Sequence, residues 1–334
     1  MKRIALLTLV FLAGMLISCQ KDSKIKTVVD TAQSTKTSRL STNAVQAKPA
    51  VTGKLVYHSY SCYACAGTKM YIYNFSTNTL TWVSQNWNID YPMNAHFSPD
   101  GTKIVFMGQP AGSGDWDIYL WTVGSSSAPT NLTAGNNLRD EDPKFSPNGY
   151  RIAFKQAGDL KIMELTGSVT NVVTNTPSIE EGMPYYNDDA TGLLYARGAG
   201  SASDIYKINL DGTNNTALAN VSGVQEYYPI KRDQNTFLYS RWYSSTDHHD
   251  QVYMGYFANS TRTRLPFNNN NAEYADAYPC GTDNVILSST RSGTVGGYDL
   301  YIANINTGAI YSLSTYNSGI NSSVDELGSA YTPN

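Results

Sequence analysis

One short stretch of this chain is written twice, and its recurrence limits the available folds more than any other feature. His96-Phe97-Ser98-Pro99-Asp100-Gly101 leads into Thr102-Lys103-Ile104-Val105-Phe106, and Lys144-Phe145-Ser146-Pro147-Asn148-Gly149 leads into Tyr150-Arg151-Ile152-Ala153-Phe154. Each reads as a strand, a tight turn and a second strand, because Pro pre-sets φ early in the turn and Gly tolerates φ > 0 at its end. Worn copies follow at Glu181 to Tyr186, Glu226 to Lys231, Glu273 to Tyr278 and Glu326 to Tyr331. Taking Phe97, Phe145, Tyr186, Lys231, Tyr278 and Tyr331 as equivalent, the copies are spaced by 48, 41, 45, 47 and 53 residues, close to the length of one four-stranded propeller blade. Between these anchors Val, Ile, Tyr and Thr alternate and are broken by Gly, Asn, Asp and Ser. No long stretch carries apolar residues at helical spacing, which excludes a helical repeat.

The expected class is therefore all-β, a six-bladed β-propeller of four-stranded blades. In blade two, strands A to D are expected near 95–98, 103–107, 117–121 and 129–133, and in blade three near 144–146, 151–155, 160–164 and 171–174. The third-strand signature Asp117-Ile118-Tyr119 returns at Asp204-Ile205-Tyr206 and, as Asp-Leu-Tyr, at Asp299-Leu300-Tyr301. Residues 54–59, 69–75 and 79–84 supply strands B, C and D of a first blade with no strand A ahead of them. Residues 329–333 are the missing inner strand, so the C-terminal strand closes the ring and leaves no open sheet edge.

These repeats, Phe97-Ser98-Pro99-Asp100-Gly101 and Phe145-Ser146-Pro147-Asn148-Gly149 with Asp-Ile-Tyr downstream, resemble those of TolB-type six-bladed propellers, a WD40-like repeat architecture. The resemblance covers residues 53–334 and is clearest in blades two and three. It implies the fold and little about function, since such blades serve protein docking, peptidase gating and polysaccharide lysis alike. TolB carries an additional N-terminal domain that has no counterpart in these repeats, so its trans-envelope role does not transfer.

Ahead of the propeller, Lys2 and Arg3 precede an apolar run from Ile4 to Ile17, too short to span a bilayer comfortably, so residues 1–18 read as a signal peptide. Leu16-Ile17-Ser18-Cys19 resembles the bacterial lipobox, which implies cleavage before Cys19 and a lipid on its sulfur. Residues 19–52 are rich in Lys, Ser, Thr, Gln and Ala and read as a flexible tether reaching roughly 30 Å. Lys21-Asp22 is similar to the signal that sends Bacteroidota lipoproteins to the outer face of the outer membrane. The expected address is thus an outer-membrane lipoprotein facing the cell surface, with a periplasm-facing orientation as the alternative. Asp30-Thr31-Ala32 resembles the sequence that Bacteroidota O-glycosylate. Residues 53–334 form one domain, and a monomer is expected.

From residue 53 onward there are 16 Lys and Arg against 25 Asp and Glu, a net charge of −9 against −3 for the whole sequence. That disfavours nucleic acid, anionic lipid and polyanionic glycans at long range. Contact with a membrane is expected only through the lipid anchor. Asp140, Glu181, Glu226, Glu273 and Glu326 recur at one register and are expected as acids around the channel mouth. There they either accept backbone hydrogen bonds, pair with a strand-B arginine such as Arg197 or Arg241, or hold a cation or polar ligand on the axis. Blade two departs from the register, with Pro92 there and Asp90 nearby. No cofactor is implied, although Ca2+ or another cation would suit such a mouth.

The long loops between strands B and C emerge on the same face. They carry Trp116, Arg241, Trp242, Tyr243, His248, His249 and Tyr298, which together with Glu226 are the expected binding residues, their rings suited to sugar stacking or protein contact. His248 and His249 beside Asp247 and Asp250 would suit a metal or a general base only if a loop turned both inward, because neighbours on a strand face opposite ways. Cys62-Tyr63-Ala64-Cys65 has zinc-like or redox-like spacing without a second pair, which in an oxidising envelope favours a local disulfide. Two functions fit: a non-catalytic, surface-anchored module binding a protein partner or neutral glycan, or a carbohydrate-active lyase or hydrolase on the same propeller. Convergence of Arg197, Arg241 and His248 or His249 in one deep cleft would favour the enzyme.

Overall fold

The alternation seen in the sequence folds, among the described residues, into six four-stranded antiparallel sheets. The computed structural model describes residues 47–198 and 202–334, so the expected signal peptide, Cys19 and Asp30-Thr31-Ala32 lie outside the described residues. Five sheets use four consecutive strands. The sixth joins Asp325–Thr332 to Lys54–Tyr60, Lys69–Asn74 and Thr79–Trp82, with Lys54 opposite Thr332 and Val56 opposite Ala330. The chain therefore closes into a six-bladed propeller, and the C-terminal strand supplies the clasp. The final residues of the expected tether rest on this seam: Val51 packs on the core between blades six and one, and the Tyr316 and Tyr331 hydroxyls donate to the Pro49 and Thr52 carbonyls.

The repeated turn explains its own composition. In Ser98-Pro99-Asp100-Gly101 the Ser98 hydroxyl donates to Asp100 at 2.6 Å, and the Asp100 carboxylate accepts from the Thr102 N–H at 3.0 Å. Ser146, Asn148 and Tyr150 repeat the arrangement at 2.8 and 3.1 Å. Each side chain thus takes up backbone groups that the tight turn would leave unpaired. Second strands such as Ile104, Val105 and Phe106 are buried on both faces, and each apolar cluster is shared by neighbouring blades. Met93, Val105 and Ile118 of blade two, for instance, pack against Phe145, Ile152 and Phe154 of blade three. Burial of this kind contributes about 1.5–3 kcal/mol per large side chain, so the ring is held by its seams as much as by its sheets.

The inner strands are Asp325–Thr332, Ile89–Phe97, Asp140–Phe145, Glu180–Tyr186, Glu226–Lys231 and Tyr274–Cys280. Those of blades two and three begin well before the positions expected from alternation. The reason is a bulge. Each inner strand slips register against its neighbour. At the slip one residue takes φ near +50 to +60°: Asn94, Asp142, Met183, Tyr228, Asp276 and Gly328. The bulge interrupts the period of two that identifies a strand.

Candidate functional site: the loop-face mouth of the axial channel

The six bulged residues form a ring about the axis, and side chains tie it together from blade to blade. The Asn94 N–H donates to His58 Nδ1 at 3.4 Å, and its side-chain amide donates to Asp142 at 2.9 Å. The Asp276 N–H donates to Ser240 Oγ at 3.1 Å, the Tyr228 N–H approaches Met183 sulfur at 3.4 Å, and Asp276 in turn accepts from the Gly328 N–H. Asn, Asp and Gly adopt φ > 0 readily, but for Met183 and Tyr228 it costs about 1 kcal/mol or more, so the surroundings must enforce it. At Gly328 nothing larger fits: a Cβ there would stand 2.4 Å from His58 Cε1.

Above the ring, on the face where the inner strands begin, the channel opens between five tyrosines: Tyr60, Tyr63, Tyr227, Tyr228 and Tyr298. Tyr63 is held there by the Cys62–Cys65 disulfide and by its own hydroxyl, which accepts from Arg139 at 2.8 Å. Two cavities flank Tyr63 and Tyr228. One, of about 490 Å3, carries mixed charge, with Glu141 bridging Arg139 and Lys155, the latter at 2.7 Å. Burial alone would raise Glu141, but these two cations outweigh it and hold its carboxyl below the usual range. The other, of about 210 Å3, is walled by the five tyrosines, with Asp250 and Asp276 as its acids. Burial pushes Asp250 up to about 7, with neighbouring Glu273 and Asp276 adding to the effect against a hydrogen bond from Tyr227. Burial likewise pushes Asp276 up to about 6. Beneath them Lys144 lines a chamber of only about 40 Å3, and burial lowers its amine below its ordinary value.

The channel does not run freely to the far end. His96 Nδ1 accepts the Phe145 N–H at 3.2 Å, which leaves Nε2 to donate to the Tyr278 hydroxyl at 3.1 Å; that hydroxyl lies 3.4 Å from the Tyr185 hydroxyl. The three rings close across the axis, with the Tyr185 and His96 planes at 88°. Burial, with Lys144 nearby, holds His96 far below the usual imidazole value.

The acids expected around the mouth are placed differently. Asp140, Glu181, Glu226 and Glu326 are fully buried between strands rather than on the axis, and Glu273 is half-buried beside them. Asp140 accepts from Gln156 at 2.8 Å, Glu181 pairs with Arg197 at 2.9 Å, and Glu326 accepts from the Ser322 hydroxyl at 2.6 Å. Glu273 accepts the Asp250 N–H. The Glu226–Arg241 pair, at 3.8 Å, is too long for a hydrogen bond and leaves Glu226 Oε1 and Arg241 Nε without one; burial pushes Glu226 up to about 7. The physical reason for the displacement is the bulge: these acids lie at or beside the first residue of their strands, and the slip in register further on turns Glu141, Asp142 and Asp276 toward the channel cavities.

Of the expected binding residues, Tyr298 lines the mouth cavity. Trp116 is buried in the core against Tyr63 and Tyr91 rather than displayed. Arg241 and Trp242 end a strand, Thr236–Trp242, instead of starting a loop, and Trp242 stacks on His248 with ring centroids 3.8 Å apart. Tyr243 is exposed with Arg264 over its ring, and His249 bonds to Asp247 at 2.6 Å. Arg197 and Arg241 each face the acid of their own blade, and none of the cavities described is lined by them together with His248 or His249. Cys280 is the free cysteine among the described residues, and among them no three His, Cys, Asp or Glu side chains are gathered as metal ligands. The sequence reading missed Tyr60, Tyr63, Tyr227 and Tyr228; the one available signal was Tyr63 lying between two cysteines.

The fold recurs in distant proteins. A chain of Kuenenia stuttgartiensis hydrazine synthase superposes with a TM-score of 0.67 at 12% identity over 84% of this chain, which spans only 46% of that larger one. The putative TolB from Agrobacterium tumefaciens gives 0.57 at 16% identity, covering 78% of this chain and 88% of its own. A chain of the nidogen/laminin complex gives 0.57 at 11% identity, covering 84% and 98%. At these identities the likeness is one of fold. No curated protein matches the sequence. Residues 29–228 match the family described as the TolB beta propeller domain, and with more than half its length matched and six closed blades, this chain belongs to that family.

Proposed function

We propose that this propeller is a non-catalytic binding module whose working surface is the loop-face mouth, where it receives part of a protein partner. The observation that carries this reading is the set of five tyrosines around a recess held open by a rigid ring. Such rings supply large contact area with few rotamers to freeze. The failure of Arg197, Arg241, His248 and His249 to converge in one cleft weighs against the lyase or hydrolase alternative. A chain of the same fold from the nidogen/laminin complex is in keeping with protein binding. The proposed setting is an outer-membrane lipoprotein anchored through Cys19 and facing the cell surface. The chain reaches its first strand, Lys54–Tyr60, on the face of the ring opposite the mouth.

The test compares the wild-type chain with Tyr63→Ala and Tyr298→Ala in partner capture and on a glycan array. Loss of capture in both variants at unchanged melting temperature is expected. Capture retained by both would overturn the reading, and selective glycan retention would redirect it to sugars.

A further inference from the structure

Resting on that reading of the mouth as the working surface, we infer that the 210 Å3 tyrosine-walled cavity is a cage for an alkylammonium group, the protonated amine of a partner's lysine side chain. Size is the first reason. Pockets that enclose whole small molecules run to about 300–1,000 Å3, so this one, at about 210 Å3, suits one side chain rather than an oligosaccharide.

Its chemistry is the second reason. The aromatic walls present π faces that attract cations, an effect of about 0.5–2 kcal/mol per contact that grows when water is excluded. Tyr227 and Tyr228 lie edge to face, with centroids 5.6 Å apart, and so offer faces in two directions. The polar lining is acidic. Asp250 Oδ1 is a buried oxygen with no hydrogen-bond partner. Asp276 accepts from the Gly328 N–H. No arginine or lysine lines this cavity. Of the cations nearby, Arg139 and Lys155 are committed to Glu141, and Lys144 lies beneath the cavity, where it donates to the Pro143 carbonyl at 3.3 Å and faces Asp142 and Asp276. A cation entering here gains the field of two carboxylates, Asp250 and Asp276, and several π faces at once, whereas a neutral hydroxyl gains neither in full.

The cage predicts its own pH dependence. Facing Asp250 are Tyr227, Glu273, Asp276 and His249, and facing Asp276 are Asp142 and Lys144. In the empty cavity burial holds Asp250 near 7 and Asp276 near 6. An ammonium favours their ionised forms, so binding must strengthen as pH rises through 6 to 7.

The probe is Nα-acetyl-lysine amide, titrated into the full chain by calorimetry or by tyrosine NMR shifts, beside its Nε-acetylated form and glycinamide, which carries only a chain-terminal amine. Saturable binding of the lysine probe is expected, weakened at least about tenfold by Nε-acetylation and strengthening from pH 5.5 to 7.5. Asp250→Asn should weaken it by a similar factor. Tyr298→Phe should retain binding and Tyr298→Leu should lose it, a contrast that stands even if the aspartate variant folds poorly. Equal binding of the acetylated probe, no saturation at tens of millimolar, or equal affinity of Tyr298→Phe and Tyr298→Leu would each overturn the cage. Preference for glycinamide would overturn the lysine assignment in favour of a chain terminus. Partner capture that survives Asp250→Asn but not Tyr63→Ala would leave the binding module standing while removing the cage.

Discussion

The same six strands build both ends of the axial channel, and the ends differ in almost every respect. Where the strands begin, the mouth is wide, tyrosine-lined and charged, with two cavities and long loops around it. Where they finish, His96, Tyr185 and Tyr278 close the axis, and in blades two and three the rim carries the tight Ser-Pro-Asp-Gly and Ser-Pro-Asn-Gly turns. The difference follows from connectivity. A tight turn whose side chains are engaged in its own hydrogen bonds has nothing free to offer a ligand, whereas a loop between strands B and C can lengthen without disturbing the ring. The ring of bulges marks the border between the two regimes.

The largest effect on this contrast is expected from the border itself. Gly328→Val forces φ near +61° on a β-branched residue and drives its Cβ into His58, which should cost at least about 3 kcal/mol and disturb both ends; an unchanged melting temperature would show that the ring yields there. His96→Ala attacks the closed end alone. It removes the acceptor for the Phe145 N–H and leaves a cavity, for about 2–3 kcal/mol of stability, yet partner capture at the opposite mouth should persist once the protein is folded. Coupled loss of capture would mean that the two ends are not independent.

Protonation separates the ends more finely. Burial holds Asp140 near 6 and Asp250, Glu226 and Glu326 near 7. Between about pH 4.5 and 7 the folded chain keeps protons that the unfolded chain releases, so these groups lower stability as pH rises, each by up to about 1.4 kcal/mol per pH unit. His58, near 3, and His96, lower than usual, act oppositely: below about pH 6.5 the unfolded chain takes up protons that the fold refuses, so their contribution grows with pH. The carboxylates outnumber the histidines, so the melting temperature should be higher at pH 5 than at pH 7.5. Asp250→Asn should flatten the decline above pH 6, and a profile that rises steadily to pH 8 would contradict this assignment. The smallest effect is expected at Trp242→Ala: its ring lies on His248 at the edge of a loop, so stability should change by under about 1 kcal/mol, and capture should fall less than in Tyr298→Ala.

Much of this architecture was legible in the sequence for physical reasons. Ser98-Pro99-Asp100-Gly101 can serve only a tight turn, its recurrence sets the blade length, and a first blade without an inner strand requires the C-terminal strand to supply it, expected at 329–333 and found at Asp325–Thr332. The site was not legible, because the bulge changes which residues face the axis. Their shared register puts Asp140, Glu181 and Glu226 around the channel mouth, while the fold buries them between strands and turns Glu141, Asp142 and Tyr228 toward the channel cavities instead. Asn94, Asp142, Asp276 and Gly328 are residue types that tolerate φ > 0 and hint at the bulge. Met183 and Tyr228 give no such hint, and adjacent Tyr227 and Tyr228 read as opposite faces of a strand although both line one cavity.

The clasp has a mechanical consequence. Lys54 and Thr332 are neighbours at one end of the seam, and Lys54 Nζ donates to the Asn334 carbonyl at 2.9 Å. Tension pulling those two chain segments apart would peel the seam one rung at a time, the geometry in which an antiparallel pair yields at low force. Tension entering at residue 53 and leaving through a partner seated in the mouth would instead run lengthwise along the strands of blade one. All the rungs of the seam then resist together. A propeller loaded from opposite faces in this way would hold its cargo against drag that would unravel it if pulled by its ends.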